Sequence, residues 1–150
     1  MNHLSQLKNI FILFSFCLLA FTTQQQQNPF IGKWIGESKG DVGSMAFDVE
    51  GYATIELDGQ EMGGKEFEVD GVRSQLGYEF NDSVQPIELN FLLRNLETEE
   101  EKKMRLIARF ISHDSLELAS NFNETRPTEF TEENSIILTR VESPSSSKEK

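Results

Sequence analysis

The residues whose types could do chemistry fall in a few short stretches. His113-Asp114-Ser115 holds the base, acid and hydroxyl of a hydrolase triad, but acyl-transfer chemistry needs these groups to converge, with the base turned toward the nucleophile. Adjacent residues diverge, and Asp and Ser in a turn bond nearby backbone groups, so the stretch reads as a structural turn. The acids between Glu97 and Glu101 offer oxygen ligands to calcium without the glycine bend and spaced oxygens of a dedicated loop, and read as a solvated loop tip. With 25 Asp and Glu in the chain a carboxylate pair of the glycosidase kind is conceivable, yet none stands apart from the outward face of its strand. Arg126 and Phe130 lie in a long loop before the last strand. A guanidinium fork there would clamp an anionic ligand head, or fix the loop against Glu129 or backbone carbonyls.

The elements that must position these residues are strands. Apolar residues recur with period two, the mark of a strand with one buried face: Met45, Phe47 and Val49; Ala53, Ile55 and Leu57; Phe67 and Val69; Leu76, Tyr78 and Phe80; Ile87, Leu89 and Phe91; Met104, Leu106, Ala108 and Phe110; Leu116, Leu118 and Phe122. Gly32–Glu37 opens the series and Ile136–Val141 closes it. Turn chemistry separates the runs at Lys39–Gly43, Glu50-Gly51, Asp58-Gly59, Gly63-Gly64, Asp70-Gly71, Asn81–Ser83 and His113–Ser115, where glycine supplies the positive φ that hairpins need. Some nine short strands with closely spaced turns predict a sandwich or a barrel. The helix-leaning stretch Leu96–Met104 joins two cleanly alternating runs and reads as a hairpin tip.

Composition narrows the function classes. The chain has 150 residues, room for one domain. Its formal net charge of -11 makes nucleic acid and anionic membrane surfaces poor partners. Twelve Phe are an aromatic load that a disordered acidic chain does not carry. A single Cys forms no internal disulfide, and no Cys and His spacing suits zinc; no metal or other cofactor is expected.

Ile10–Phe21 is an apolar run without charge behind Lys8. A membrane helix takes about 20 apolar residues and a secretory core about 7 to 15. The run therefore predicts a signal peptide over 1–22, with Ala20 and Thr22 as the small residues at the cleavage site, rather than a core helix or uncleaved anchor. Cys17 raises lipoprotein anchoring, against which the bulky Phe16 before it stands. Cleavage leaves a cysteine-free chain, which fits a bacterial periplasm or the cell exterior better than a small secreted animal domain. A polar linker over 23–29, a β-domain over 30–141 and a polar tail over 142–150 complete the expected organisation.

Gly32-Lys33-Trp34 near the start of the domain, together with Arg140 in its last strand, resembles the lipocalin-like, or calycin, barrels. The resemblance implies that Trp34 lies across a closed barrel end with Arg140 packed over its ring, a cation–π contact of about 0.5 to 2 kcal/mol. The C-terminal half is similar to an uncharacterised bacterial lipocalin-like domain family in three pieces: Pro86-Ile87-Glu88-Leu89, His113–Leu118 and Arg126-Pro127-Thr128-Glu129-Phe130. The glycines and cysteine that some relatives carry near the turn are absent here. The family carries no established active site, so no catalytic residue transfers.

The resulting expectation is an antiparallel up-and-down barrel of eight to nine strands, acting as a non-enzymatic binding module. Met45, Phe47, Leu76, Tyr78, Phe80, Phe91, Leu106 and Phe110 face inward. They either fill the barrel or line an apolar pocket with Tyr78 as a polar handle. In the ligand reading, Phe47, Tyr78, Phe91, Leu106, Phe110 and Arg126 hold a small apolar or amphipathic molecule, while Gly32, Trp34, Arg126, Pro127, Phe130 and Arg140 form the structural motif. The alternative is a filled barrel that binds another protein or an envelope component through its outer face. The short glycine-containing link Gly36–Ser44 leaves no helical lid over the mouth.

Overall fold

The computed structural model describes residues 28–38, 41–121, 123 and 125–142. The expected signal peptide, Cys17, most of the linker, Phe122 and the tail from 143 onward lie outside the described residues. The strands are β1 (Gly32–Ser38), β2 (Asp41–Phe47), β3 (Ala53–Leu57), β4 (Gln60–Val69), β5 (Val72–Asn81), β6 (Ile87–Asn95), β7 (Glu101–Ser112), β8 (Ser115–Ser120) and β9 (Ser135–Arg140). Each pairs antiparallel with the next, and β9 closes on β1 through Trp34 opposite Arg140, so the chain is an all-β, up-and-down closed barrel.

Local chemistry explains the turns. Asp58-Gly59 and Asp70-Gly71 have φ of 52° and 74°, and of 52° and 75°, the doubly positive pair of a two-residue hairpin whose twist matches its strands. The stretch from Leu96 is a hairpin tip as its flanking alternation predicts: the Asn95 side chain accepts the amides of Glu97 and Thr98 at 2.8 and 3.1 Å. Three expectations need correction. Val49 leaves the alternation, lying beyond β2 in the turn and 80% exposed. Asp41–Gly43 belongs to β2, which shortens the first link to residues 39 and 40. Gly63-Gly64 is a bend inside β4 and not a turn between strands.

That bend has a topological cause. A ring in which every neighbour is antiparallel closes only on an even number of strand directions, yet nine strands close here. One strand must change its sense, and β4 does so. Gln60–Gly63 runs beside Leu57–Thr54 of β3, whereas Gly64–Val69 runs beside Leu76–Val72 of β5. Below the fork Tyr52 pairs directly with Gly77, so β3 and β5 are neighbours there. The barrel thus has eight strands at one end, all but β4, and ten passes at the other, where both arms of β4 enter. Barrel diameter grows with strand number, so one end is narrow and the other wide.

Inward faces are apolar and outward faces carry charge, for example Glu56, Glu79, Glu88, Lys103 and Arg109. This is the reverse of a lipid-facing barrel wall.

Gly63 has φ +117°, and a Cβ there would sit 2.3 Å from the Ala53 carbonyl oxygen. Gly63→Ala is expected to cost about 2–4 kcal/mol. Gly59→Ala, with φ +74° and no atom within 4 Å, is expected to cost about 1 kcal/mol. Urea denaturation of the two variants checks the difference.

Candidate functional site

The narrow end is sealed. Trp34 is fully buried on β1, its Nε1 donating to the Phe30 carbonyl at 2.8 Å. The Arg140 guanidinium lies 4.0 Å from the Trp34 ring centroid. Its fork donates to the carbonyls of Ile31 and Pro29 at 2.6 and 3.0 Å and to that of His113 at 3.3 Å. Gly32, with φ +126°, leaves room for this fork, since a Cβ there would be 2.9 Å from Nη1. The packing that the lipocalin resemblance implies for Trp34 and Arg140 is therefore present.

Phe30, which follows the polar linker and belongs to no strand, plugs the narrow end. It is fully buried, with ring centroids 5.6 Å from Phe47 and 5.0 Å from both Phe80 and Phe110. Asn28 holds the plug by donating to the Tyr78 hydroxyl at 2.7 Å, and that hydroxyl donates to the Asp48 carbonyl at 2.8 Å. Burial pushes the Tyr78 phenol above its ordinary pKa, partly countered by the Asn28 hydrogen bond. Phe47, Tyr78 and Phe110, expected as pocket residues, are taken up in this packed half.

The wide end opens as a cavity of about 520 Å³. Met45, Ile55, Phe91, Leu106, Leu118 and Ile136 line it, and Met104, 52% exposed, stands nearer the solvent. Of the expected ligand set, the structure brings Phe91 and Leu106 to this space. Glu37, Glu132 and Glu133 are its carboxylates, accompanied by Ser120, Asn134 and Ser135. Glu132 and Glu133 had no signal in strand alternation because they come from the loop before β9, whereas Glu37 is an exposed residue of β1 next to the inward Gly36.

Arg126 does not reach the interior. It sits on the outer wall, donating to the carbonyls of Leu89 and Leu106 and to the Asn90 side chain at 2.8 Å, with Nε 3.5 Å from Glu88. Its role as a clamp for a ligand head inside the barrel is corrected: the fork fixes the loop. Pro127 beside it is buried. Ile107 and Ala119 pair on this same outward face and are 2% and 1% exposed, on the wall where Arg126 and Phe130 are bound. Phe130 carries the Arg109 guanidinium 4.5 Å from its ring centroid, and Arg109 bonds the buried Glu117 at 2.6 Å. Beyond this strap the chain turns sharply. The Asn134 side chain accepts the Thr131 amide at 2.8 Å, the Thr131 carbonyl accepts the Ser135 amide at 3.0 Å, and the Asn134 carbonyl accepts the Ser120 amide at 3.0 Å. Arg126-Pro127-x-x-Phe130 thereby positions Glu132 and Glu133 at the mouth.

The other chemistry-bearing stretches stay apart from both ends' interiors. His113 Nδ1 lies 2.6 Å from Asp114, but that carboxylate is also 3.5 Å from Arg140, and the hydroxyl bonded in the turn is Ser112, which accepts the Asp114 amide. Glu99 pairs with Arg94 at the β6–β7 tip. Glu79 is held below the usual carboxylate range by hydrogen bonds from Lys103 and Asn90 on the outer wall. Among the described residues no three His, Cys, Asp or Glu gather as a metal cage.

Two variants test this division of labour. Arg126→Ala is expected to lower stability by about 1–3 kcal/mol, as several buried acceptors lose their donor. Tyr78→Phe is expected to cost about 1 kcal/mol at neutral pH. The raised Tyr78 pKa means the folded state holds the proton more tightly, so its contribution is full below about pH 10 and is lost as pH rises further. Chemical denaturation at neutral and alkaline pH is expected to show a shallower alkaline loss in Tyr78→Phe than in the parent. Comparison with family models, curated proteins and solved structures finds no match, so the functional reading stands on this geometry.

Proposed function

We propose that this chain is an exported lipocalin-like binding module that takes a small apolar or amphipathic molecule into the wide end of its barrel. The observation that carries the reading is the 520 Å³ cavity at that end, a size typical of ligand pockets and lined by apolar side chains with a few polar groups at its edge. The sealed narrow end supports it, because the Trp34 and Arg140 closure makes a cup and not a channel. The apolar run Ile10–Phe21 behind Lys8 supports export. Among the described residues no nucleophile is held against a base, and the proposal includes no covalent step.

The packed lower half favours a second reading, a filled barrel that binds a protein or envelope component. Native mass spectrometry of the full chain exported from an expressing bacterium, before and after organic extraction, separates the two. A stoichiometric mass lost on extraction is expected for the ligand module. A bare protein that also ignores added amphipaths moves the assignment to the filled barrel. Leu106→Trp, which adds volume at the cavity wall, is expected to weaken amphipath binding about tenfold or more while the fold survives. Loss of folding without a separable effect on binding, in both Leu106→Trp and Phe91→Trp, counts against the pocket.

A further inference from the structure

We infer that the mouth selects amphiphiles with a cationic head group, such as a long-chain amine or quaternary ammonium. The inference rests on the mouth being a ligand site and names the chemistry of its ligand. An apolar tail of such a molecule enters between Phe91, Leu106 and Leu118, which leaves its head at the level of Glu37, Glu132 and Glu133. Among the described residues, no Lys or Arg lines the cavity. None of the three carboxylates has a hydrogen-bond or ion-pair partner among the described residues.

Neighbouring charges on the barrel are arranged differently. Lys103 pairs with Glu79, Arg109 with Glu117, Arg126 with Glu88 and Arg94 with Glu99. The guanidinium that would receive an anionic head, Arg126, lies on the outer wall. Lys102 shares the inward face of β7 with Met104 and Leu106 and, one step nearer the mouth, adds one positive charge above the cavity lining. An anionic head at the mouth would meet unpaired carboxylates next to an apolar wall, where like charges repel most strongly. A cationic head would meet Glu37 on β1 and Glu132 and Glu133, whose backbone is fixed by the turn at Thr131–Ser135.

The test uses the full chain and three probes with one tail and different heads: dodecyltrimethylammonium, dodecanoate and dodecyl maltoside, each below its micelle concentration, followed by calorimetry. The cationic probe is expected to bind about tenfold or more tighter than dodecanoate at low salt, with the advantage shrinking as salt screens the carboxylates. Replacing the rim acids in Glu132→Gln with Glu133→Gln is expected to remove most of that advantage, and Glu50→Gln at the narrow end to leave it unchanged. Equal binding of all three probes overturns the cation preference while the pocket stands. An equal loss in the Glu50→Gln control also overturns it, since the preference then comes from overall charge. No binding by any probe overturns the pocket and the preference together.

Discussion

An antiparallel ring must alternate in sense all the way round, and nine strands do not permit it. The bent β4 resolves the conflict, and the form of the molecule follows from how it does so. Below the fork, eight strands enclose a space that their own side chains fill; above it, the two arms of β4 spread the wall. Gly63 and Gly64 take φ values of +117° and +78°, a region open to glycine at little cost and to other residues only under strain. The same wall therefore makes a packed base and an open bowl without any change in strand pattern.

Each end is then finished by a segment outside the strands. At the base, Phe30 enters from below and is held by polar groups on three sides: the Trp34 indole, the Arg140 fork behind it and the Asn28–Tyr78 pair. At the mouth, the loop before β9 is strapped to the outer wall by Arg126, Pro127 and Phe130 before it reaches the rim. Both devices use arginine as a planar fork that gathers several backbone carbonyls, and both leave the guanidinium outside the barrel's interior.

Much of this architecture was legible in the chain. Period-two alternation located the strands, and the Asp-Gly pairs located their hairpins, because both follow from local stereochemistry. Gly32, Trp34 and Arg140 could be joined across the chain only through resemblance, and their contact is now seen. What escaped detection depends on long-range placement. Gly63-Gly64 looks like any other turn until ring closure is considered. Ile107 alternates as an outward residue, yet it is buried on the wall where Arg126 and Phe130 are bound. Phe30 follows a polar stretch and belongs to no strand, so no pattern marks it as a plug. The cavity's Phe91 and Leu106 were among the inward set, but alternation assigns a face and not which inward side chains border open space, so it could not separate them from Phe47, Tyr78 and Phe110, although Tyr78 pairs directly with Phe91.

The bonds from Arg140 to Pro29 and Ile31 join groups 111 and 109 residues apart. Contacts of such sequence separation carry the largest loop-closure entropy in the fold and form late and slowly. Until β9 is in place, β1 and β8 are open sheet edges and the base has no lid beneath Phe30, a state prone to pairing with other chains. Synthesis from the N-terminus cannot shorten that interval, because the residue that seals the base is nearly the last of the domain to be made. The interval in which β1 and β8 stand as unpaired edges therefore lasts until the final strand arrives.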